Sequence, residues 1–454
     1  MDFTGKRVLI VGTKKSGMAA LGLLKQHGAQ TILYDGNEQL SEEDIRSELP
    51  PGVETDIRIG TLSEKDKEAI ELIVISPGVP IDSPLVLEFQ ERKVPIWGEV
   101  ELAYAFEKGK VLAITGTNGK TTTTALLGQI MQDATHKAFT VGNIGIPYTQ
   151  MVSGTEEDSV TVAEISSFQL ETVHAFRPAV SAILNITPDH LNRHHTMECY
   201  VQTKERIAAM QTKAETCVLN YEDSYTRQFG LVTTARPVYF SGAHELENGF
   251  YYKDGVIYKA EGGKATRLLA MSETHLLGVH NAENIMAAVA MADSYGIAME
   301  QILESVKSFH AVEHRLEFVA TKRGVDYYND SKGTNPDAAI KGIGAMVKPT
   351  FLIGGGYDKG SEYDEWIESF DGKVKKLVLI GQTREKIADC AKRHGFEDYV
   401  FAESLEEAME LCIKEAKEGD CVLLSPACAS WGMFPNYEVR GNRFKDMVLA
   451  IEEK

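Results

Sequence analysis

Residues 115 to 122 read Thr-Gly-Thr-Asn-Gly-Lys-Thr-Thr and stand between an apolar run and a stretch rich in Thr, Ala and Leu. In a strand-to-helix turn, Gly116 and Gly119 let backbone N–H groups wrap phosphate oxygens at a helix N-terminus. Lys120 then adds a point charge, and the Thr121 hydroxyl suits magnesium. The common spacing G-x-x-x-x-G-K-[ST] asks for glycine at 114, where Ile114 stands, so the sequence context matches while the spacing departs. The plain alternative is a glycine-rich turn carrying a lysine by chance.

Other residues with chemical potential are spread along the chain. Gly12, Ser16 and Gly17, with Asp35 beyond, form a weakened dinucleotide fingerprint, because Lys14 replaces the middle glycine of G-x-G-x-x-G. Such a turn can still offer N–H groups to a diphosphate, and a generic βαβ turn is the equal alternative. Glu164 directly follows the run TVA, and Asp189-His190 soon follows SAILN. Ligands of parallel sheets collect at carboxyl ends of strands, which puts Glu164 and His190 near the phosphate turn as magnesium ligands. A surface Glu and a loop His are the bland reading. Lys204-Glu205-Arg206 reads, on charge alone, as a solvated helix face. Farther on, Asp330-Ser331-Lys332, Thr334, Gly354 to Lys359 and Ser425 to Ser430 place Asp330, Thr334, Lys359 and Ser430 on one carboxyl edge, suited to a small charged ligand.

The elements that must position these groups are legible as strand–helix alternation. RVLIV, a helix from Met18 to Leu24 and TILY make a first βαβ unit. Strands at Leu72–Ile75 and Val94–Ile96 follow, with a helix between them opened by Ser83-Pro84, and a boundary falls near residue 98. A second unit has strands at Val111–Thr115, Thr161–Ala163, Val180–Leu184 and Cys217–Leu219, a hairpin over Tyr251–Tyr258 turning at Asp-Gly, and helices at Ala282–Ala292 and Met299–Ser308. After His314 come a strand at Asp326–Asn329, a helix opened by Asn335-Pro336, and the runs FLIGG, LVLIG and CVLLS. Apolar strands without alternation, separated by helices, predict parallel sheets covered on both faces. The fold class is α/β with three domains, over residues 1–98, 99–311 and 312–454.

A length of 454 residues agrees with about three domains of about 150 residues. The net charge of −19 repels nucleic acid and gives no general attraction to anionic membranes. Six cysteines without a C-x-x-C pair read as reduced thiols rather than a zinc knuckle or disulfide framework. The only early apolar run, Val8 to Val11, is too short for a signal peptide or membrane span, so a cytoplasmic monomer without nucleic-acid or membrane partners is expected.

The segments ITGTNGKTTTT, VGNIG, EISSFQLE, NITPDHLNRH, HNAENIMAA, HRLE, NDSKGTNPDA, GGGYDKG and LLSPACASW, in this order, resemble the Mur ligase family over nearly the whole chain. SSFQLE, the Asp-Lys-Gly loop and SPACAS are most similar to the member that adds D-glutamate to UDP-N-acetylmuramoyl-L-alanine. The resemblance implies an N-terminal Rossmann-like domain for the UDP moiety, a central P-loop ATPase domain and a C-terminal Rossmann-like domain for the amino acid. It implies ATP contacts at Gly116, Thr117, Asn118, Gly119, Lys120, Thr121, Thr122, Asn284, Arg315 and Asp330. Two magnesium ions would be held by Thr121, Glu164, His190 and a carbamate on Lys204. Substrate contacts are implied at Ser16, Gly17, Asp35 and Asn143, and D-glutamate contacts at Thr334, Lys359, Ser430 and Tyr437. The family often has Asp where Asn192 and Gly432 stand here.

Amide formation from a carboxylate needs an activated acyl group. The reaction implied is phosphorylation of the alanyl carboxylate by ATP, attack by the D-glutamate amine, and release of ADP and phosphate, with catalysis mainly by positioning and charge neutralisation. A nucleophile held on a separate domain implies closure before chemistry. The rivals are a sister ligase for another amino acid, a nucleotide-binding regulator with a decayed site, and a dinucleotide oxidoreductase. The decayed site is disfavoured by the presence of Lys120, Glu164, His190, Lys204 and Asp330, and the oxidoreductase by Lys14.

Overall fold

The computed structural model describes residues 2–143, 145–310 and 313–452. They form two compact units, one of residues 1–270 with 283–308, the other of residues 271–282 with 309–454.

The first unit holds two sheets. Strands β1 (Arg7–Val11), β2 (Gln30–Asp35), β3 (Asp56–Ile59), β4 (Leu72–Ile75) and β5 (Ile96–Gly98) are all parallel in the order β3-β2-β1-β4-β5. The strand order therefore reverses between β1 and β4, the kind of switch point where open α/β sheets bind ligands. The last strand begins at Ile96 rather than Val94. Pro95 has no N–H to give to a ladder, and its carbonyl accepts from Ile73 N at 3.0 Å before regular pairing starts. Ser83 is the N-cap of helix Pro84–Glu91, but its side chain makes no capping bond.

The second sheet contains β6 (Lys110–Thr115), β7 (Ala138–Gly142), β8 (Val160–Glu164), β9 (Val180–Ile183), β10 (Thr216–Asn220), β11 (Arg236–Ser241), β12 (Gly249–Lys253), β13 (Val256–Glu261) and β14 (Lys264–Ala270). Their order is β14-β13-β12-β11-β10-β9-β6-β8-β7. The central strands are parallel and buried along nearly their full length, as apolar runs covered on both faces require. β12 to β14 form an antiparallel extension, with the hairpin turn at Asp254 and Gly255, both at positive φ.

The second unit has one sheet of β15 (Glu317–Lys322), β16 (Val325–Asn329), β17 (Thr350–Gly354), β18 (Val374–Leu379), β19 (Tyr399–Phe401) and β20 (Cys421–Leu424), ordered β15-β16-β20-β17-β18-β19. Only β15 runs antiparallel. Asn335 caps helix Pro336–Gly344 by accepting from Ala338 N at 2.8 Å, which is the start the Asn-Pro pair predicts. The observed three sheets, mainly parallel and interleaved with helices, match the α/β expectation. Among the described residues no helix is long and apolar enough to cross a membrane.

Candidate active site

β6 lies between β8 and β9, so the residues after all three strands share one sheet edge. Gly119, the N-cap of helix Lys120–Thr135, sits at φ +87°. A Cβ there would lie 2.3 Å from Asn284 Oδ1, which explains why only glycine fits beside that side chain. The turn is zipped to the segment after β9. Thr117 N donates to Asn185 O at 2.9 Å, Asn118 N donates to Asn185 Oδ1 at 2.8 Å, and Asn185 Nδ2 returns a bond to Asn118 O at 3.1 Å. Thr117 Oγ1 also donates to Thr187 O at 3.1 Å. Asn284 accepts from Thr123 Oγ1 at 3.3 Å and so packs against the same helix. Thr121 lies, half-buried, in its first turn, beside buried Thr122.

Two lysines meet on this turn. Lys120 Nζ donates to the carbonyls of Gly116 (2.8 Å) and Thr117 (2.9 Å). Lys204 Nζ donates to the same Gly116 carbonyl at 2.8 Å. Lys204 is 1% exposed, which overturns the reading of a solvated charged face. Burial pushes its amine well below the ordinary lysine range, and the Lys120 charge pushes in the same direction. Its helix, Met197–Glu205, carries it inward beside Tyr200, with Nζ 4.7 Å from that ring.

Glu164 is the last residue of β8 rather than the first beyond it, and it is buried. Its Oε1 accepts from Asn143 Nδ2 at 3.0 Å, and its carbonyl accepts from Asn143 N at 2.8 Å. The Thr115 and Thr122 hydroxyls are buried without a protein hydrogen-bond partner. His190 takes the left-handed conformation at the start of helix Leu191–His194. Its half-exposed ring lies against Phe168 at 4.9 Å. Beneath that loop Arg193 makes a two-point pair with Glu171 (3.1 and 2.5 Å) and donates to the Val79 carbonyl at 2.8 Å. His194 is buried with Nε2 2.9 Å from Ser167 Oγ, and burial pulls its pKa down to about 4.

At the first sheet, Asp35 closes the turn after β1. Its Oδ2 accepts from Thr13 Oγ1 at 3.0 Å and Thr13 N at 3.3 Å, and its Oδ1 accepts from Asn37 N at 3.0 Å. Ser16 and Gly17 are in the first turn of helix Lys15–Gln26. A Cβ on Gly17 would lie 1.9 Å from the Gly12 carbonyl, so the helix can approach the strand this closely only with glycine. Lys15 Nζ donates to Gly145 O, which brings this turn near Asn143.

In the second unit, β16, β20 and β17 are neighbours, and their carboxyl ends bring Asp330, Ser425 and Gly355 together. Asp330 is 3% exposed. Its Oδ2 accepts from Ser425 Oγ at 2.7 Å and its Oδ1 from Leu316 N at 3.3 Å. Burial raises its pKa to about 6, against the opposing pull of the Arg315 charge. The loops bearing Lys359 and Ser430 are joined by a bridge between Tyr357 and Ala429. Exposed Lys359 has its Nζ 5.2 Å from the Trp431 ring, while Ser430 is buried. Gly432, at φ +83°, occupies a conformation that favours glycine over aspartate. Thr334 lies on the loop ahead of helix Pro336–Gly344, and Tyr437 opens helix Tyr437–Leu449, where its carbonyl accepts from Ser331 Oγ at 2.9 Å.

Sequence reasoning missed the residues that hold these loops. Asn185, Thr13 and Ser425 were without assigned roles, as was Arg440. The Arg440 guanidinium is fully buried and donates to Ser331 Oγ (3.0 Å), Ser331 O (2.8 Å) and Cys428 O (3.2 Å). Burial lowers its pKa to about 10. A polar residue directly after Gly12 was the available signal for Thr13, and an amide at the end of the strand-like run SAILN was that for Asn185. Arg440 had none, because its partners are remote in sequence.

Residues 6–98 match the profile of the Mur ligase MurD-like N-terminal domain, 114–292 the Mur ligase middle domain, and 314–428 the glutamate ligase domain of Mur ligases. The UDP-N-acetylmuramoylalanine--D-glutamate ligase of Lachnospira eligens is 58% identical over 99% of this chain and 99% of its own. The protein of the same name from Lachnoclostridium phytofermentans is 55% identical over the full length of both. Among solved structures, UDP-N-acetylmuramate-alanine ligase MurC of Thermotoga maritima aligns with a TM-score of 0.60 at 18% identity, over 98% of this chain and 100% of that one. The MurF ligase of the same organism in complex with ADP also gives 0.60, at 17% identity over 98% and 94%. At these identities the two structures speak for the fold alone.

Proposed function

Because this chain belongs to the Mur ligase family, we propose that it joins D-glutamate to UDP-N-acetylmuramoyl-L-alanine in peptidoglycan-precursor synthesis, with cleavage of ATP to ADP and phosphate. The observation that carries this reading is full-length similarity to ligases bearing that name. The test is whether phosphate release depends on D-glutamate rather than on another amino acid.

The three sheets are read as a UDP-substrate domain over residues 1–98, an ATP domain over 99–311 and an amino-acid domain over 312–454. Gly116 to Thr122 would hold ATP phosphates, with Lys120 leaving its loop carbonyls to meet them. Asn284, Arg315 and Asp330 would complete the nucleotide contacts. Ser16, Gly17 and Asp35 would take the uridine diphosphate and Asn143 the muramoyl part. Thr334, Lys359, Ser430 and Tyr437 would surround D-glutamate.

The donor set fits magnesium, a hard cation that prefers oxygen. The buried Glu164 carboxylate and the unpartnered Thr115 and Thr122 hydroxyls offer only oxygen atoms at the sheet edge. Thr121, Glu164, His190 and modified Lys204 would hold two ions, which when bound neutralise phosphate charge. Lys204 supports the carbamate reading because carbon dioxide adds only to a neutral amine. Burial beside Lys120 favours that form. Addition to Nζ forms the N–C bond, releases one proton and leaves a carboxylate where an ammonium would repel cations.

This chain's own residues then act by placement. Lys120 neutralises the phosphates as the γ-phosphoryl moves to the alanyl carboxylate. Lys359 fixes a carboxylate of D-glutamate so that its amine reaches the acyl phosphate, and the tetrahedral intermediate collapses to the amide with loss of phosphate. A soluble cytoplasmic monomer is the form in which we expect the enzyme to work.

A further inference from the structure

Asp364, Cys390 and His394 form a cluster in the second unit to which the ligase reaction assigns no role. One donor atom from each, carboxylate oxygen, thiol sulfur and ring nitrogen, lies within 4.8 Å of the other two. Cys390 is a buried free cysteine on helix Arg384–Arg393, and His394 caps the end of that helix four residues on. Residues at i and i+4 share a helix face. Asp364 opens the short helix Asp364–Glu368 packed against them.

From this arrangement we propose that Asp364, Cys390 and His394 bind one zinc(II) ion or a transition-metal ion of similar softness. Zinc takes sulfur at about 2.3 Å and nitrogen or oxygen at about 2.0–2.2 Å, so tetrahedral donors stand about 3.3–3.6 Å apart. The observed cluster needs side-chain shifts on the order of 1 Å to reach that spacing. Thiolate and imidazole select zinc-like metals over magnesium.

An outer partner is also in place. His394 Nε2 faces the ligand Asp364 Oδ1 at 2.8 Å, while Nδ1 stands 3.5 Å from Glu368 Oε1. Glu368 on Nδ1 supplies the carboxylate–histidine pairing that orients an imidazole whose Nε2 holds the ion. Arg393 Nη2 also donates to Asp364 Oδ1 at 3.2 Å, but its side chain is 59% exposed and can swing into solvent. Burial pushes the Cys390 thiol up to about 11, so the incoming ion displaces its proton to solvent, and with Cys390 as thiolate these side chains carry a net negative charge that a divalent ion offsets. The two helices also frame the loop that carries Lys359. Thr383, just ahead of one helix, accepts from Gly356 N at 3.0 Å, and Lys386 donates to Ser361 O at 2.8 Å. Metal binding would therefore fasten the base of that loop.

Cobalt(II) is the probe, titrated into the metal-stripped full chain under a non-thiol reductant. One equivalent is expected to produce a thiolate-to-cobalt absorption band, which zinc(II) then abolishes. Oxygen-donor sites for magnesium give no such band, so failure of this proposal is distinguishable from failure of the ligase reading. Cys390→Ser should lose the band and Cys199→Ser should keep it. His394→Gln, at a ring with 25% exposure, covers the case in which the buried Cys390 variant does not fold, and should also lose the band. Glu368→Gln should weaken binding about 10-fold. Absence of a thiolate band in the unmodified chain would overturn the site, as would a band that survives His394→Gln unchanged.

Discussion

Replacing Asp330 by Asn is expected to change stability in a pH-dependent way. The carboxyl has a folded pKa of about 6 against an ordinary 3.8, chiefly because burial penalises its charge. The folded state therefore holds this proton more tightly than the unfolded state. Its favourable contribution is complete below about pH 3.8, declines as pH rises, and is gone above about 6. The gap of about 2 units corresponds to about 3 kcal/mol of destabilisation at about pH 8. Roughly half of that is already present at about pH 5, so the benefit of Asp330→Asn relative to the parent should grow by about 1.4 kcal/mol between those two conditions. Lost bonds to Ser425 or Leu316 shift the stability of the variant at both conditions and cancel in the difference. The assay is urea unfolding followed by tryptophan fluorescence in a Trp97→Phe background, which leaves Trp366, fully buried in this unit's core, and the exposed Trp431 of the same unit. An equal stability difference at both pH values would refute the reasoning, as would a difference that moves against the variant as pH rises.

Three further outcomes follow from the site. Gly119→Ala places a methyl 2.3 Å from Asn284 Oδ1 at φ +87°. With about 1–2 kcal/mol for the left-handed backbone alone, thermal unfolding should come earlier and the half-saturation for ATP should rise; an unchanged enzyme would remove the steric argument. Lys204→Ala should lower turnover by about 10- to 100-fold, the scale for groups that shape a metal site, with ATP binding retained and partial rescue by added formate. A folded, inactive variant that no small carboxylate restores would count against the carbamate. Lys359→Ala should raise the D-glutamate half-saturation roughly 10- to 150-fold, from about 1.5–3 kcal/mol for a charge-assisted pair. ATP should be little affected, and equal weakening of both substrates would move Lys359 out of the amino-acid pocket.

The sequence was most informative where backbone chemistry is local. The Gly116–Thr122 turn, the Asp254-Gly255 hairpin and the Asn335-Pro336 helix start each carry their cause within a few residues, and each is found where its residue types place it. Buried parallel strands were equally legible, since β6, β17 and β20 carry the apolar runs VLAI, FLI and CVLL. The outer strands β14 and β15 escaped because their exposed positions interrupt any apolar run. The burial of Lys204 was also illegible, because the helix MECYVQTKE mixes polar and apolar residues and its inward face is set by packing against the Gly116–Thr122 turn. Arg440 and the Asp364–Cys390–His394 cluster depend on contacts between remote segments. The helical Cys-x-x-x-His spacing of that cluster lies outside the C-x-x-C pattern of a zinc knuckle.

The most direct test of the central claim is an amino-acid panel. UDP-N-acetylmuramoyl-L-alanine, ATP and magnesium would be held saturating, with D-glutamate, L-glutamate, L-lysine and meso-diaminopimelate supplied singly while phosphate release and product mass are followed. Phosphate release coupled to a product heavier by one glutamyl residue, with D-glutamate alone, is the result expected of this chain. Turnover with another amino acid and none with D-glutamate would contradict the proposed function.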